Sequence, residues 1–317
     1  MPPSAALGDG SAAGPPPGYH RTVRRIEAFL LLVGVTAVWG WTFTVVREAV
    51  AVWGVVPFLA VRFLVAAAAV LAVWGRRLDR RTLITGAGIG LVLAAGYLLQ
   101  TWGLRFTTAS NSGLITGLFV VLAPVADRIV NGTRHRPAVW ISVAVSFAGM
   151  ALLSGTGAEP LNRGDLMTLG CAVAFGLHIA LLARFSPRYE ARALAAAQIV
   201  GCAVIFLVAW PFTAPVELPP RTVWFALALT GLVASALAFF IQTAVQRHIS
   251  AAATALILTM EPVFAALFGR VLGGERLGPL QLAGAGLILT ALIGAQLAEL
   301  KTGPAGAAQP MERGRPK

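Results

Sequence analysis

The chain has 317 residues, 57% of them hydrophobic and only 12% charged, at a mean hydropathy of +0.77, whereas water-soluble domains carry about 25% charged residues. That balance excludes an ordinary cytosolic globular protein and requires an integral membrane protein. The net charge of +12 does not imply a nucleic-acid partner, because no soluble segment interleaves basic residues with exposed aromatics.

Apolar residues form continuous blocks instead of short segments of alternating polarity, which predicts an all-α protein and not a barrel. Residues 1–26 open with "MPPSAALGDGSAAGPPPGYH" and end in a basic run, so a disordered, basic N-terminal tail is expected. Ten spans of about 20 residues follow at 27–47, 54–75, 82–104, 108–128, 137–154, 164–184, 193–212, 222–246, 250–270 and 279–298. The first is too long for the core of a secretory signal and reads as an uncleaved helix. Residues 299–317 read as a second disordered tail. Cys171 and Cys202 fall inside spans without CxxC or metal-ligand spacing, so both read as packing residues.

Lys and Arg set the expected orientation. With the amino terminus inside, eighteen of the 25 basic residues lie on cytoplasmic segments, six lie on the other side, and Arg62 lies within a span. Both termini are therefore expected in the cytoplasm, with loop 76–81 inside and loop 155–164 outside. A register of 142 residues relates the two halves, pairing Gln100 with Gln242, Thr101 with Thr243, Arg105 with Arg247, Ala109 with Ala251, Arg128 with Arg270 and Pro137 with Pro279. Each copy, 27–154 and 164–298, holds five spans. Five is odd, so the second copy enters the membrane from the opposite side, and two inverted five-helix repeats are expected, as in transporters that bind near the midplane.

Several stretches carry a family resemblance: "AVWGWTFTVVREA" in the first span, "AVRFLVAAAAVL" in the second, "RFTTASNSGLITGLFVVLAP" entering the fourth and "ILTMEPVFAALFGRVLGGERLGPLQLAGAGLIL" across the last two. Over residues 27–298 the chain resembles the EamA family of the drug/metabolite transporter superfamily. The resemblance implies ten helices in two five-helix units and a role in moving small metabolites. Amino-acid exporters are the nearer expectation, with sugar-nucleotide carriers more distant. Trp41 departs from the pattern, since many relatives have a smaller residue there.

Polar and aromatic residues within spans are the candidate site. Tyr97 and Gln100 share a helical face, and Gln242 is the register partner of Gln100; each amide either bonds a neighbouring helix or lines a hydrated cavity. Trp39, Trp41 and Phe43 offer an aromatic surface that either packs against neighbouring helices or, near the midplane, lines a cavity. His178 is either a neutral, hydrogen-bonded core residue or a group that carries a proton or contacts substrate, and Asn111 either caps the fourth span or meets a ligand. Arg62 is expected to snorkel outward or pair with Glu48. In "MEP", Glu261 either braces a bend through a permanent pair or changes protonation and contacts a substrate amine, while Pro262 breaks the helix. The first half offers Pro124 as its breaker, one turn beyond the equivalent position, so the two halves are expected to bend differently.

No HExxH, GxSxG, paired-aspartate or P-loop motif is present. The expectation is a non-enzymatic secondary transporter, without cofactor or metal, exporting an amino acid or amine across the cytoplasmic (inner) membrane by alternating access. Its expected partners are that substrate, the bilayer and protons, in a monomer or weak homodimer. The alternatives are a structural or assembly subunit of the membrane and a carrier of sugar-nucleotide-like substrates.

Overall fold

The computed structural model describes residues 19–74, 78–107, 109–153, 162–273 and 278–302, which form helices joined by short turns, with no strand among them. Helix α1 (Tyr19–Trp53) begins directly after the Pro-rich run, so part of the expected N-terminal tail is helical. Gly54 stops it. Its φ of +90° and its N–H bonded to Val50 O at 3.0 Å form a left-handed cap that turns the chain into α2 (Val55–Trp74). Asp79 caps α3 (Arg80–Gly103) by accepting from Thr82 N at 2.8 Å. Residues 1–18, loop 155–161 and residues 303–317 lie outside the described residues.

The fourth predicted span is two helices, α4 (Ala109–Thr116) and α5 (Phe119–Asn131). Helices α6 (Pro137–Leu153), α7 (Arg163–Phe185) and α8 (Ala191–Thr213) follow, α7 opening with a capping box between Asn162 and Asp165. The eighth span comprises α9 (Trp224–Ala228), a π-helical stretch Leu229–Leu237 and α10 (Ala238–Val245). The ninth is again split, into α11 (Ala251–Leu258) and α12 (Met260–Gly273), and α13 (Pro279–Thr302) closes the chain.

Among the described residues, eight helical segments are long and apolar enough to cross a membrane, and two shorter apolar helices, Pro137–Leu152 and Pro279–Gly294, occupy the fifth and tenth predicted positions. Large apolar side chains such as Ile129, Val208 and Phe212 face outward, as lipid contact allows and water does not. The interior is packed around Phe58, Phe63 and Phe206, and every residue of α11 is buried.

Pro124 does not break the first half. It sits inside α5, and the interruption falls one to two turns earlier, at Gly117–Leu118. There the bonds tighten to the 3₁₀ spacing, with Leu118 N on Ile115 O and Val120 N on Gly117 O. A Cβ at Gly117 would lie 2.6 Å from Met150 Sδ and 3.1 Å from Leu114 O, so a side chain there would have to displace Met150, and glycine is itself a poor helix former. In the 142-residue register, the ends of α4 at Thr116 and α11 at Leu258 coincide. The two halves interrupt the same turn, by glycine in one and by proline in the other.

Candidate functional site

A central cavity lies between α1, α2, α3, α7, α10 and the α11–α12 junction. Each wall is one helical stripe: Trp39, Thr42, Phe43 and Val46 from α1; Leu93, Tyr97 and Gln100 from α3; Phe175, His178 and Ile179 from α7; Phe239 and Gln242 from α10. These are i, i+3, i+4 and i+7 spacings. Space for the centres of water molecules amounts to ≈ 50 Å³, room for about three or four waters.

The aromatic lining is continuous. Tyr97 meets Phe63, Phe175 and Phe239 edge-on with centroids 5.2, 5.4 and 6.0 Å away, and Trp39 lies 5.5 Å from Phe239. Tyr97 and Phe239 are register partners, as are Gln100 and Gln242. The Trp39 indole N–H donates to Ala234 O at 2.8 Å, a carbonyl of the π-helical stretch, a distortion that often marks functional positions.

Arg62 belongs to this cavity, and neither expectation for it holds. It is 2% exposed, its guanidinium carbon stands 4.4 Å over the Tyr97 ring, and its Nε donates to Ser235 Oγ at 3.0 Å. Glu48 is exposed on α1 instead. A buried arginine is retained in a membrane protein where its charge has a use.

Glu261, 6% exposed, lines the same cavity and has no hydrogen-bond partner among the described residues. Pro262 supplies no N–H to Leu258 O, so the helix ends at Leu258, which also lines the cavity. A Cβ at Gly40 would lie 2.8 Å from Glu261 O and Ala265 N, so α1 touches the α12 backbone at the acid. Gly40 thereby sets where Glu261 sits.

The remaining polar groups form two hydrogen-bond chains. His178 Nε2 pairs with Gln198 Oε1 at 2.8 Å and Gln198 Nε2 donates to Thr243 Oγ1 at 3.0 Å. Gln242 Nε2 donates to Gln246 Oε1 at 3.0 Å, and Gln246 Nε2 to Ile179 O at 3.0 Å. Gln100 Nε2 donates to Thr116 Oγ1 at 3.2 Å, beside the α4–α5 break.

Of the residues singled out in the sequence, Trp39, Tyr97, Gln100, His178, Gln242 and Glu261 meet at this one cavity. Trp41 does not. Two residues beyond Trp39 it points about 200° around α1, packing on Phe225 and Phe268 at 6.2 and 6.1 Å. The backbone of Asn111 lies within α4, past the cap position, and its side chain lies outside the described residues. Sequence reasoning missed Phe239, whose pairing with Tyr97 the register already contained, and Gln198 and Gln246, whose register partners Val56 and Leu104 are apolar. Among the described residues no group of three or more His, Cys, Asp or Glu gathers to hold a metal.

Comparison with known proteins places the chain among relatives by family and fold. The profile of the EamA-like transporter family matches residues 26–155 and again 162–296. An uncharacterized transporter of Archaeoglobus fulgidus is 35% identical over 280 residues, covering 87% of this chain and 88% of the relative. The uncharacterized inner membrane transporter YedA of Escherichia coli is 25% identical over 276 residues, 84% of this chain and 90% of the relative. A crystal structure at 19% identity superposes with a TM-score of 0.72, covering 88% of this chain and 99% of that one, a likeness of fold.

Proposed function

The chain belongs to the EamA-like transporter family, and from that premise we propose that it is a secondary transporter that moves an amino acid or amine across the cytoplasmic membrane by alternating access, with export as the net direction. The observation that carries this reading is a single cavity whose walls come from register-related positions of both halves: Tyr97 with Phe239, Gln100 with Gln242, Phe119 with Glu261. Arg62 and Glu261 give that cavity one cation and one acid, the two charges a zwitterion needs. Aromatic faces suit its side chain or an ammonium group.

Ten helices in two inverted repeats fit the packing. In the register, α1 against α12 corresponds to α7 against α5, and α3 against α8 to the π-helical stretch against α2. Under the orientation expected from the basic residues, Val46 and Leu104 extend the cavity toward the outer side, while α11 packs on α5 and α7 below it. This describes an outward-facing arrangement, narrow enough that a substrate must widen it.

Cysteines introduced at Arg81 and Glu217, both exposed, are expected to react with an impermeant thiol reagent from opposite faces of the membrane. Labelling from one face would remove the inverted repeat. Counterflow of radiolabelled amino acids and amines in proteoliposomes tests the function itself. Gln100→Ala and Gln242→Ala are each expected to raise the apparent KM about tenfold, the scale of one lost buried hydrogen bond, in protein that remains monodisperse. Wild-type kinetics in both variants would return the two amides to helix packing.

A further inference from the structure

Two hydrogen-bond chains run from backbone carbonyls to the cavity wall, and each fixes an acceptor there. In the first, Ile179 O can only accept, so Gln246 must present its Nε2 to it and its Oε1 to Gln242. That orients the Gln242 amide in turn. Its Oε1 faces away from Gln246 and is buried without a hydrogen-bond partner among the described residues.

In the second chain, Phe239 O accepts from the Thr243 hydroxyl at 2.6 Å, so Thr243 Oγ1 is the acceptor for Gln198 Nε2. Gln198 therefore turns its Oε1 to His178 Nε2, which must carry the ring proton. Nδ1 of the neutral imidazole is left as the acceptor. Gln242 and His178 line the cavity with Glu261, while Gln198 and Gln246 stand behind the wall.

We propose that Gln246 and Gln198 are positioning residues that hold Gln242 Oε1 and His178 Nδ1 as acceptors and so make the cavity select a substrate bearing an N–H donor, an ammonium group above all. This rests on the transporter reading above. At the equivalent positions the first half cannot build such chains, because the register partners of Gln246, Gln198 and His178 are Leu104, Val56 and Thr36. Helix packing alone therefore does not demand them. An acceptor buried without a partner is uncommon, and a bound donor supplies what Gln242 Oε1 lacks. Chained amides also polarise one another, strengthening the terminal acceptor.

Selectivity is read by counterflow in proteoliposomes with L-leucine, L-phenylalanine and L-threonine, each against the 2-hydroxy acid of the same side chain, which replaces the ammonium group by a hydroxyl. The wild type is expected to favour the amino acid. Gln246→Met, which fills the same volume without orienting Gln242, is expected to reduce that preference about tenfold. In Gln242→Glu/Gln246→Met the preference is expected to return, because both carboxylate oxygens accept and no orienting partner is needed. A purely structural role for Gln246 would show neither the selective loss nor the rescue. If Gln246→Met folds and keeps the wild-type preference, or if Gln242→Glu fails to restore it, the positioning assignment falls and the transporter reading stands. If the wild type moves none of the pairs, or favours the hydroxy acids, the amino-acid reading falls and takes this assignment with it.

Discussion

Arg62→Leu is expected to lower substrate counterflow by about 100-fold or more while leaving the thermal stability of the purified protein within a few degrees of wild type. Two effects set the sign. Arg62 is the cation of the cavity, fully buried, with one donor on Ser235 and its planar face on Tyr97. Its guanidinium is the one cationic donor group among the described lining residues that can meet a carboxylate, and a charge-assisted bond of that kind is worth about 1.5–3 kcal/mol. Two such bonds amount to the expected loss. Stability behaves differently, because replacing a buried ion by an apolar residue of similar volume is often neutral or stabilising. Arg62→Lys keeps the charge without the fork or the stacking face and is expected to fall between the two. Counterflow within threefold of wild type in Arg62→Leu would assign the guanidinium to holding α2 against the π-helical stretch.

The placement of Arg62 shows where sequence reasoning reached its limit. A lone arginine in a span reads as a snorkelling residue because nothing local says which helices will surround it. Its partners, Ser235 and Tyr97, are 173 and 35 positions away, and a neutral serine gives no charge signal. The stripe Tyr97–Gln100 was legible because helical periodicity is local, and its counterpart Phe239–Gln242 because the register repeats it. Trp41 reads as a cavity candidate from its mid-membrane position beside Trp39, whereas helical periodicity turns it to another face of α1. Breaks in the fourth and ninth spans were only half legible. Proline announces the loss of an N–H, whereas the break at Gly117 lies against Met150 and Pro262, a meeting that no single stretch of sequence contains. Gln198 and Gln246 had no repeat partner to mark them.

Glu261→Gln is expected to abolish accumulation driven by a pH gradient while exchange of substrate across the same vesicles continues within a few-fold of wild type. The acid stands in "MEP", where Pro262 ends the hydrogen-bonded helix at Leu258 and Gly40 lets α1 come against the carbonyl of Glu261. A carboxylate in the middle of a span costs about 2.5–3.5 kcal/mol on the insertion scale. A structural role would offset that cost with a fixed partner, yet Glu261 has none among the described residues and opens on the cavity. A proton or a substrate ammonium, bound in turn, meets the same need, and competition between them couples the two flows. The titratable or charged groups sharing the cavity are Arg62, Tyr97 and His178. His178 Nε2 is engaged by Gln198, which leaves Nδ1 as a second acceptor for a proton, and the Tyr97 ring lies beneath Arg62's guanidinium. Glutamine is nearly isosteric and cannot exchange a proton, so it separates the possibilities in one measurement. Loss of both activities in well-folded protein assigns Glu261 to substrate contact without proton exchange, and wild-type behaviour in both assays leaves the acid with no part in transport.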